Sequence, residues 1–124
     1  MITLKHLQDI NVQRAIRWHR EGPEDWTPLE WAGAMAGECG EACNVAKKLK
    51  RVESQIANHD GRDFGDPKPL PEMAAMYRRH IAKEAADTIL YAVLLIERVG
   101  GNVEEVVCEV FNLKSEQYGF PERL

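Results

Sequence analysis

The sequence has no excess of basic residues and no long hydrophobic run. Its 124 residues carry 16 Lys and Arg against 20 Asp and Glu, for a formal net charge of -4. Such a balance is unlike that of a dedicated nucleic-acid binder, so we expect no nucleic-acid polymer as a partner. No segment approaches the roughly 18 consecutive apolar residues of a membrane span, and the opening MITLKHLQDI lacks the pattern of a secretory signal. We therefore expect a soluble, cytoplasmic protein without a membrane partner.

Cysteine is also scarce. Cys39, Cys43 and Cys108 do not suggest a disulfide framework, and no C-x-x-C or neighbouring Cys/His pair completes a zinc site. We expect small buried thiols. Strand-like alternation, internal repeats and low-complexity tracts are missing as well, and the length suits one domain with its own core. The pattern predicts a single all-α domain over residues 1–124.

Helical periodicity and capping residues place the first two helices. Apolar residues recur at helical spacing from Leu4 to His19, and Gly22-Pro23 ends this amphipathic helix. The motif Thr27-Pro28-Leu29-Glu30 predicts a helix start, with an N-cap, a proline at the first helical position and a capping box. The second helix should continue to about Val52, where several Lys and Arg residues suit the C-terminal end of its dipole.

The rest of the chain predicts a long loop and two further helices. Gly, Pro and Asp are concentrated at about residues 53–71, which favours a mobile loop over a folded lid. A third helix then runs from Pro71 to Val99, and Asn102 caps a fourth helix with one buried apolar face. The stretch Ala85–Val99 is apolar on nearly every side. A second subunit is the simplest way to cover it, so we expect a homo-oligomer, either a dimer or a tetramer.

Two pairs of carboxylates interrupt small and apolar helix surfaces. Glu38 and Glu41 lie at i and i+3 in the second helix, and Glu84 and Asp87 repeat this spacing in the third. Two carboxylates about 5 Å apart repel by roughly 3 kcal/mol at an effective dielectric constant near 20, so four of them oppose folding unless a cation compensates. All-oxygen ligation favours Mg²⁺ or Mn²⁺ over iron, and the Glu-x-x-His motif of di-iron bundles is missing. If the two helices face each other, the pairs predict a magnesium site.

Three glycines, Gly33, Gly37 and Gly40, lie inside the same helix as the first acidic pair. Each costs roughly 0.5–1 kcal/mol relative to alanine, so the helix must need the space that they leave. Two interpretations are open: close approach of another helix, or room for a ligand beside Glu38 and Glu41.

A magnesium cluster in a small helical protein indicates phosphoryl chemistry, because the ion binds substrate phosphates and activates water. Lys48, two turns after Glu41 on the same face, and Lys114 on the last helix are candidates for holding a polyphosphate. Taken singly, each lysine fits a solvated surface role better than a phosphate-binding role. Tyr91, one turn after Asp87, either contacts a sugar or base or packs in the core.

At these residues the sequence resembles the MazG-like all-α nucleoside triphosphate pyrophosphohydrolases, which include the dimeric dUTPases and the dCTP pyrophosphatases. The segments that carry the resemblance are GECGEACNVAKK, EAADTILYAVLL and the tail FNLKSEQYGFPERL. The resemblance covers the second to fourth helices and, more loosely, the first. It implies a four-helix bundle protomer in an oligomer, with Mg²⁺ on Glu38, Glu41, Glu84 and Asp87.

The resemblance also implies a reaction. A nucleoside triphosphate would be cleaved between its α and β phosphates to the monophosphate and pyrophosphate, with Glu38 or Glu41 ordering the attacking water. Tyr91 and Asn112 fall where family members contact sugar, base or phosphate, and Lys114 is expected to assist. The chain departs from the family in the longer stretch between its two acidic motifs, which coincides with the predicted loop. The alternative is a non-catalytic helical oligomerisation or regulatory module.

Overall fold

The computed structural model describes residues 1–58 and 71–124, and this part of the chain contains four α-helices. They are α1 (Leu4–Trp18), α2 (Pro28–Ala57), α3 (Pro71–Arg98) and α4 (Val103–Tyr118), and a 3₁₀ helix (Gly22–Asp25) lies between α1 and α2. The described residues contain no strand. The all-α prediction is therefore confirmed, whereas most of the loop predicted at about residues 53–71 lies outside the described residues.

The helices begin at the predicted capping residues. Thr27 accepts the backbone N–H of Glu30 through Oγ1 at 3.2 Å, and Glu30 Oε2 accepts the backbone N–H of Thr27 at 2.7 Å. This reciprocal pair is the predicted capping box. Asn102 caps α4 by accepting the backbone N–H of Glu105 at 3.1 Å. Each of these bonds satisfies an N–H group that the first turn of a helix leaves without an intrahelical partner.

The predicted end of α2 at about Val52 is wrong, because the helix continues to Ala57. The basic residues at 47–51 do not form its last turn, and no glycine or proline follows them before the helix ends. Val52 is buried, and Glu53 forms an ion pair with Arg78 of α3. The last turns of α2 therefore lie beside α3. Their sequence contains no glycine or proline that would end the helix earlier.

The described residues divide into two compact units. The first unit comprises Met1–Gly33 and Leu90–Leu124, and the second lies within Ala34–Ile89. Helices α2 and α3 each contribute residues to both units, so the division does not follow the order of the chain. The single-domain prediction stays a prediction.

The core of the first unit is built around Trp31, which is 1% exposed. Its indole packs with Ala15 and Leu94, and Trp26 covers it on another side. The indole Nε1–H donates to the backbone oxygen of Pro23 at 2.7 Å. The one polar atom of this large side chain therefore keeps a hydrogen-bond partner although the side chain is buried.

Two buried amides hold α1 in the first unit. Gln8 donates to the carboxylate of Glu97 and to the backbone oxygen of Gly101, and its Oε1 accepts the backbone N–H of Val103 at 2.9 Å. Asn11 donates to a backbone oxygen of α3 at 2.8 Å. Buried amides that are bonded in this way specify one register of α1 against the end of α3 and the start of α4.

Several apolar residues that were predicted to be buried are exposed. Val103 of α4 is buried, but the far end of the predicted apolar face is not. The exposed members are Val110 at 53%, Phe111 at 41% and Leu113 at 50%. Within the described chain nothing covers them, so the buried face of α4 is confirmed only in part.

The prediction of buried thiols is also wrong for two of the three cysteines. Cys39 and Cys43 are exposed, and Cys108 is half-buried. The two exposed thiols lie on a side of α2 that no described part of the chain covers.

The second unit consists of antiparallel segments of α2 and α3. Glu53 of α2 pairs with Arg78 of α3, and Glu38, earlier along α2, has a carboxylate oxygen within 4.8 Å of one from Glu84, later along α3. The two helices therefore run in opposite directions through this unit. None of the described helices is long and apolar enough to cross a bilayer.

Candidate metal centre

The acidic pairs of α2 and α3 face each other in the second unit. Glu38 and Glu41 lie on α2, and Glu84 and Asp87 lie on α3. Their i, i+3 spacing puts both members of each pair on one side of its helix. One carboxylate oxygen from each of Glu38, Glu84 and Asp87 lies within 4.8 Å of the other two. The structure thus brings together three of the four predicted metal ligands.

Glu41 lies beside this trio. Among the described residues its carboxylate is not one of the ligand atoms that meet within 4.8 Å, yet its negative charge acts on Glu38. The side chain is exposed and lines a cleft of about 480 Å³. Ligation of the same ion by Glu41 stays a prediction, and its position also suits contact with water or a substrate next to the trio.

Crowding of negative charge changes the titration of Glu38. Removal of water from this half-buried carboxyl raises its pKa above the ordinary value of 4.5. A hydrogen bond with Glu84 and the charges of Glu84, Asp87 and Glu41 raise this pKa further. A proton on Glu38 relieves the repulsion when no cation is present. A divalent cation relieves it in a second way and allows all the carboxylates to stay charged.

The donor set fits a hard divalent cation. All three converging groups are carboxylates, which supply the oxygen ligands that Mg²⁺ and Mn²⁺ prefer. Glu38 and Glu84 are half-buried and Asp87 is exposed, so water can complete the coordination shell, as Mg²⁺ requires. The donor chemistry therefore fits the predicted ion, and binding of Mg²⁺ or Mn²⁺ stays a prediction.

The predicted space beside the first acidic pair is also present. A Cβ atom added at Gly37 or Gly40 would meet no described atom within 4 Å outside its own helix backbone. Close approach of another described helix therefore does not explain these two glycines. Room for a ligand next to Glu38 remains, and so does contact with a second subunit.

His80 is a member of the site that the sequence analysis missed. Its Nε2 lies 2.7 Å from Oε1 of Glu84, one turn later on α3. The hydroxyl of Thr88 donates to the backbone oxygen of Glu84 at 2.9 Å. The imidazole side chain is 50% exposed, whereas that of Glu84 is 16% exposed. The i, i+4 spacing of His80 and Glu84 was the available signal, because residues so spaced share a helix face.

Cations of α2 line the cleft beside Glu41. Lys48, the predicted phosphate ligand, lies there with Lys47 and Arg51, and His80 of α3 contributes to the same cleft. The basic residues at 47–51 were expected only to suit the C-terminal end of the α2 dipole. Because α2 continues beyond them, Lys47 and Arg51 lie along its surface within three turns of Glu41, where their charge can act on an anion.

A second cleft, of about 360 Å³, adjoins the acidic residues of α3. It is lined by Glu84 and Asp87 together with His80, Arg79 and Lys83. Along the α3 side of the site Arg79 and Lys83 therefore precede the two carboxylates, and His80 lines both clefts.

The other predicted substrate residues lie in the first unit. Tyr91 is half-buried, and its ring centroid is 6.1 Å from that of Trp31, which supports the core-packing interpretation. Asn112 donates to the backbone oxygen of Leu124 at 3.2 Å and accepts its backbone N–H at 2.9 Å. Lys114 is exposed. In the described protomer the Asn112 amide thus holds the C-terminal tail, and roles of all three residues in substrate binding stay predictions.

Comparisons with family models, curated proteins and solved structures found no match to this chain. The resemblance to the MazG-like enzymes therefore stays a prediction that rests on the residues themselves. The functional argument depends on the geometry of the second unit.

Proposed function

We propose that this protein is a divalent-cation-dependent nucleoside triphosphate pyrophosphohydrolase. The observation that carries the proposal is the convergence of Glu38, Glu84 and Asp87 within 4.8 Å, next to a cleft lined with cations. Three carboxylates so close together disfavour the folded state unless a positive charge or a shared proton compensates. Their oxygens are the ligands that would hold Mg²⁺ or Mn²⁺.

The cleft beside Glu41 has the charge and size to hold a polyphosphate. Lys47, Lys48 and Arg51 line a volume of about 480 Å³. That volume is within the range of small-molecule sites, roughly 300–1,000 Å³. Arg and Lys are the side chains that bind phosphate oxygens through charge-assisted hydrogen bonds. A triphosphate held there would have phosphorus atoms close to Glu41 and the metal ligands.

Glu41 is the candidate for handling the proton of the attacking water. It is exposed to the cleft, and it lies outside the trio, so its oxygens are free to accept a hydrogen bond from water. The oxygen of that water attacks the α-phosphorus while its proton passes to Glu41, and the bond from the α-phosphorus to the bridging oxygen breaks. The products are the nucleoside monophosphate and pyrophosphate. When bound, the divalent cation would neutralise charge on the phosphate oxygens and polarise water.

Oligomerisation belongs to the same proposal. Large apolar side chains are exposed in the second unit, notably Met76 at 57% and Ile89 at 53%. Exposed apolar side chains of this size are candidates for contacts between subunits. A homo-oligomer, a dimer or a tetramer, would cover these side chains. Light scattering coupled to size exclusion should give a mass of two or four chains, and a monomer at micromolar concentration would contradict this part of the proposal.

The activity is tested with a panel of ribo- and deoxyribonucleoside triphosphates in the presence of Mg²⁺. Pyrophosphate and nucleoside monophosphate should appear in equal amounts for at least one nucleotide. Glu41→Gln should lower the rate by about 10²–10⁴-fold, the usual effect of removing a general base. Glu109→Gln, which neutralises an exposed carboxylate on α4, is the matched control and should leave the rate unchanged.

Other outcomes would reject specific parts of the proposal. Release of orthophosphate in place of pyrophosphate would show that a different anhydride bond is cleaved. Full activity of Glu41→Gln would remove its assigned role. No turnover of any nucleotide would favour the alternative, a non-catalytic helical module.

A further inference from the structure

The hydrogen bond between His80 and Glu84 assigns a role to a residue outside the acidic trio. We infer that His80 is a positioning residue that holds Glu84 in the orientation in which it meets Glu38 and Asp87. The inference rests on the proposed function, because it concerns the metal centre of that proposal. In this role His80 raises the affinity of the site for the metal ion without binding the ion itself.

The geometry of the bond supports this role. Nε2 of His80 lies 2.7 Å from Oε1 of Glu84, at a helical i, i+4 spacing. An ionised carboxylate only accepts hydrogen bonds, so the bond to ionised Glu84 forms with the tautomer in which Nε2 carries the hydrogen. The bond engages one oxygen of Glu84, and the second oxygen stays available. Both residues lie on α3, so the bond forms without help from any other part of the chain.

Glu84 needs such a restraint because of its neighbours. Its carboxylate faces those of Glu38 and Asp87, and repulsion among them favours rotamers that turn it away. Without the bond to His80, the Glu84 side chain would be attached to α3 only through its backbone, and its three side-chain bonds could rotate. A donor on one of its oxygens opposes that rotation before a cation binds. Partners of this kind typically change metal affinity by about 10–100-fold when they are removed.

The exposure of the two side chains agrees with an outer role for His80. The imidazole is 50% exposed, whereas the Glu84 side chain is 16% exposed, so the histidine lies on the solvent side of the carboxylate. Glu38, Glu84 and Asp87 are the residues whose ligand atoms meet, and among the described residues His80 is not one of them. The histidine therefore acts on the ion site through Glu84.

The test is direct measurement of Mn²⁺ binding without nucleotide, by the electron paramagnetic resonance signal of the free ion. The full-length chain is compared with His80→Leu, which removes the donor, and with His80→Gln, whose amide N–H₂ can replace Nε2–H. His6→Leu is the matched control, since His6 is an exposed histidine on α1. Circular dichroism without metal checks that each variant has the helix content of the wild type.

His80→Leu should bind Mn²⁺ about 10–100-fold more weakly. His80→Gln should bind nearly as tightly as the wild type, and His6→Leu should bind equally tightly. In the nucleotide assay His80→Leu should need more metal for half-maximal activity.

Three results would overturn the assignment. If His80→Leu binds Mn²⁺ as tightly as the wild type, His80 does not position Glu84. If His80→Gln loses as much affinity as His80→Leu, the imidazole itself is required and a positioning role through a donated hydrogen is wrong. If the wild type binds no Mn²⁺, the metal centre of the proposed function fails, and the role of His80 fails with it.

Discussion

Replacement of Glu38 by glutamine should have opposite effects on stability with and without a divalent cation. The pKa of this carboxyl is raised in the folded protein, chiefly by burial and then by its acidic neighbours. A raised folded pKa stabilises the protein below the unfolded value near 4.5, and that contribution is lost as the pH rises through the folded pKa. At mildly alkaline pH the metal-free wild type therefore bears unrelieved repulsion, which the Glu38→Gln substitution removes.

The size of the effect follows from the separation of the charges. The ligand oxygens of Glu38, Glu84 and Asp87 lie within 4.8 Å of one another. Two unit charges at that distance repel by about 0.9 kcal/mol in bulk water and about 3.5 kcal/mol at an effective dielectric constant of 20. Glu38 faces two such charges, and solvent near the exposed Asp87 favours the lower value. We expect Glu38→Gln to stabilise the metal-free protein by roughly 1–3 kcal/mol, a rise in Tm of about 3–12 °C.

Divalent cation should reverse the order of stability. A ligand that binds only the folded state adds about 2.7 kcal/mol when its concentration is 100 times Kd. The wild type should gain this stabilisation, and Glu38→Gln, which has lost a metal ligand, should gain much less. Thermal unfolding at mildly alkaline pH, with a chelator or with Mg²⁺, measures both effects.

The control for this prediction is Glu109→Gln, which neutralises an exposed carboxylate on α4. It should leave Tm unchanged both with chelator and with Mg²⁺. The reasoning is refuted if Glu38→Gln is less stable than the wild type in chelator. It is also refuted if both proteins respond equally to Mg²⁺.

Three further predictions follow from other contacts. Thr27→Ala removes the hydroxyl half of the capping box of α2 and should cost about 1 kcal/mol in urea unfolding, so an unchanged urea midpoint near neutrality would contradict it. The backbone N–H of residue 27, the larger cause of the lowered Glu30 pKa, is kept; only the part of the cost that comes from the hydroxyl bond to ionised Glu30 should shrink as the pH falls below 4.5. Trp31→Phe leaves the buried carbonyl of Pro23 without its donor and should cost about 1–3 kcal/mol of unfolding free energy in the same assay. A loss of stability smaller than that of Thr27→Ala would show that this bond contributes little. Lys48→Met should raise KM for the nucleotide about tenfold and leave Mn²⁺ affinity unchanged. Lys50→Met, on the same helix but outside the cleft, should alter neither quantity. Equal effects of the two substitutions on KM would show that Lys48 does not bind the phosphates.

Local signals in the sequence were sufficient to place most helix ends. Thr27 with Glu30 and Asn102 with Glu105 form bonds within a few residues, so their effect can be inferred without knowing the fold. The end of α2 was misplaced because it coincides with no local stop signal. Its last turns run beside α3, where Glu53 pairs with Arg78, and no local pattern reports a partner so distant along the chain.

The interior of the first unit was harder to predict. Periodicity marks apolar residues as the buried face of α1, yet Gln8 and Asn11 are buried and Ile10 is 47% exposed. The amides are buried because they bond with backbone groups near residues 90–103, far along the chain. Hydrophobicity patterns do not reveal such partners. Apolar side chains such as Ile10 are exposed instead, and their burial by further copies of the chain stays a prediction.

The sequence predicted the acidic residues of the candidate site but not which of them meet, and it did not predict His80. The i, i+3 spacing placed each acidic pair on one helix face, which depends only on local geometry. Which carboxylates meet depends on the register of α2 against α3, and that register brings Glu38 to Glu84 and Asp87 while Glu41 lies beside them. His80 joins the site through a local bond that was available in the sequence.

Crystals grown with Mn²⁺ and a non-hydrolysable nucleotide test the central claim most directly, through the anomalous scattering of the metal. The account predicts a peak about 2.1–2.2 Å from carboxylate oxygens of Glu38, Glu84 and Asp87, with nucleotide phosphates next to it. A structure in which these three side chains turn away from one another, with the metal absent or bound elsewhere, would contradict it.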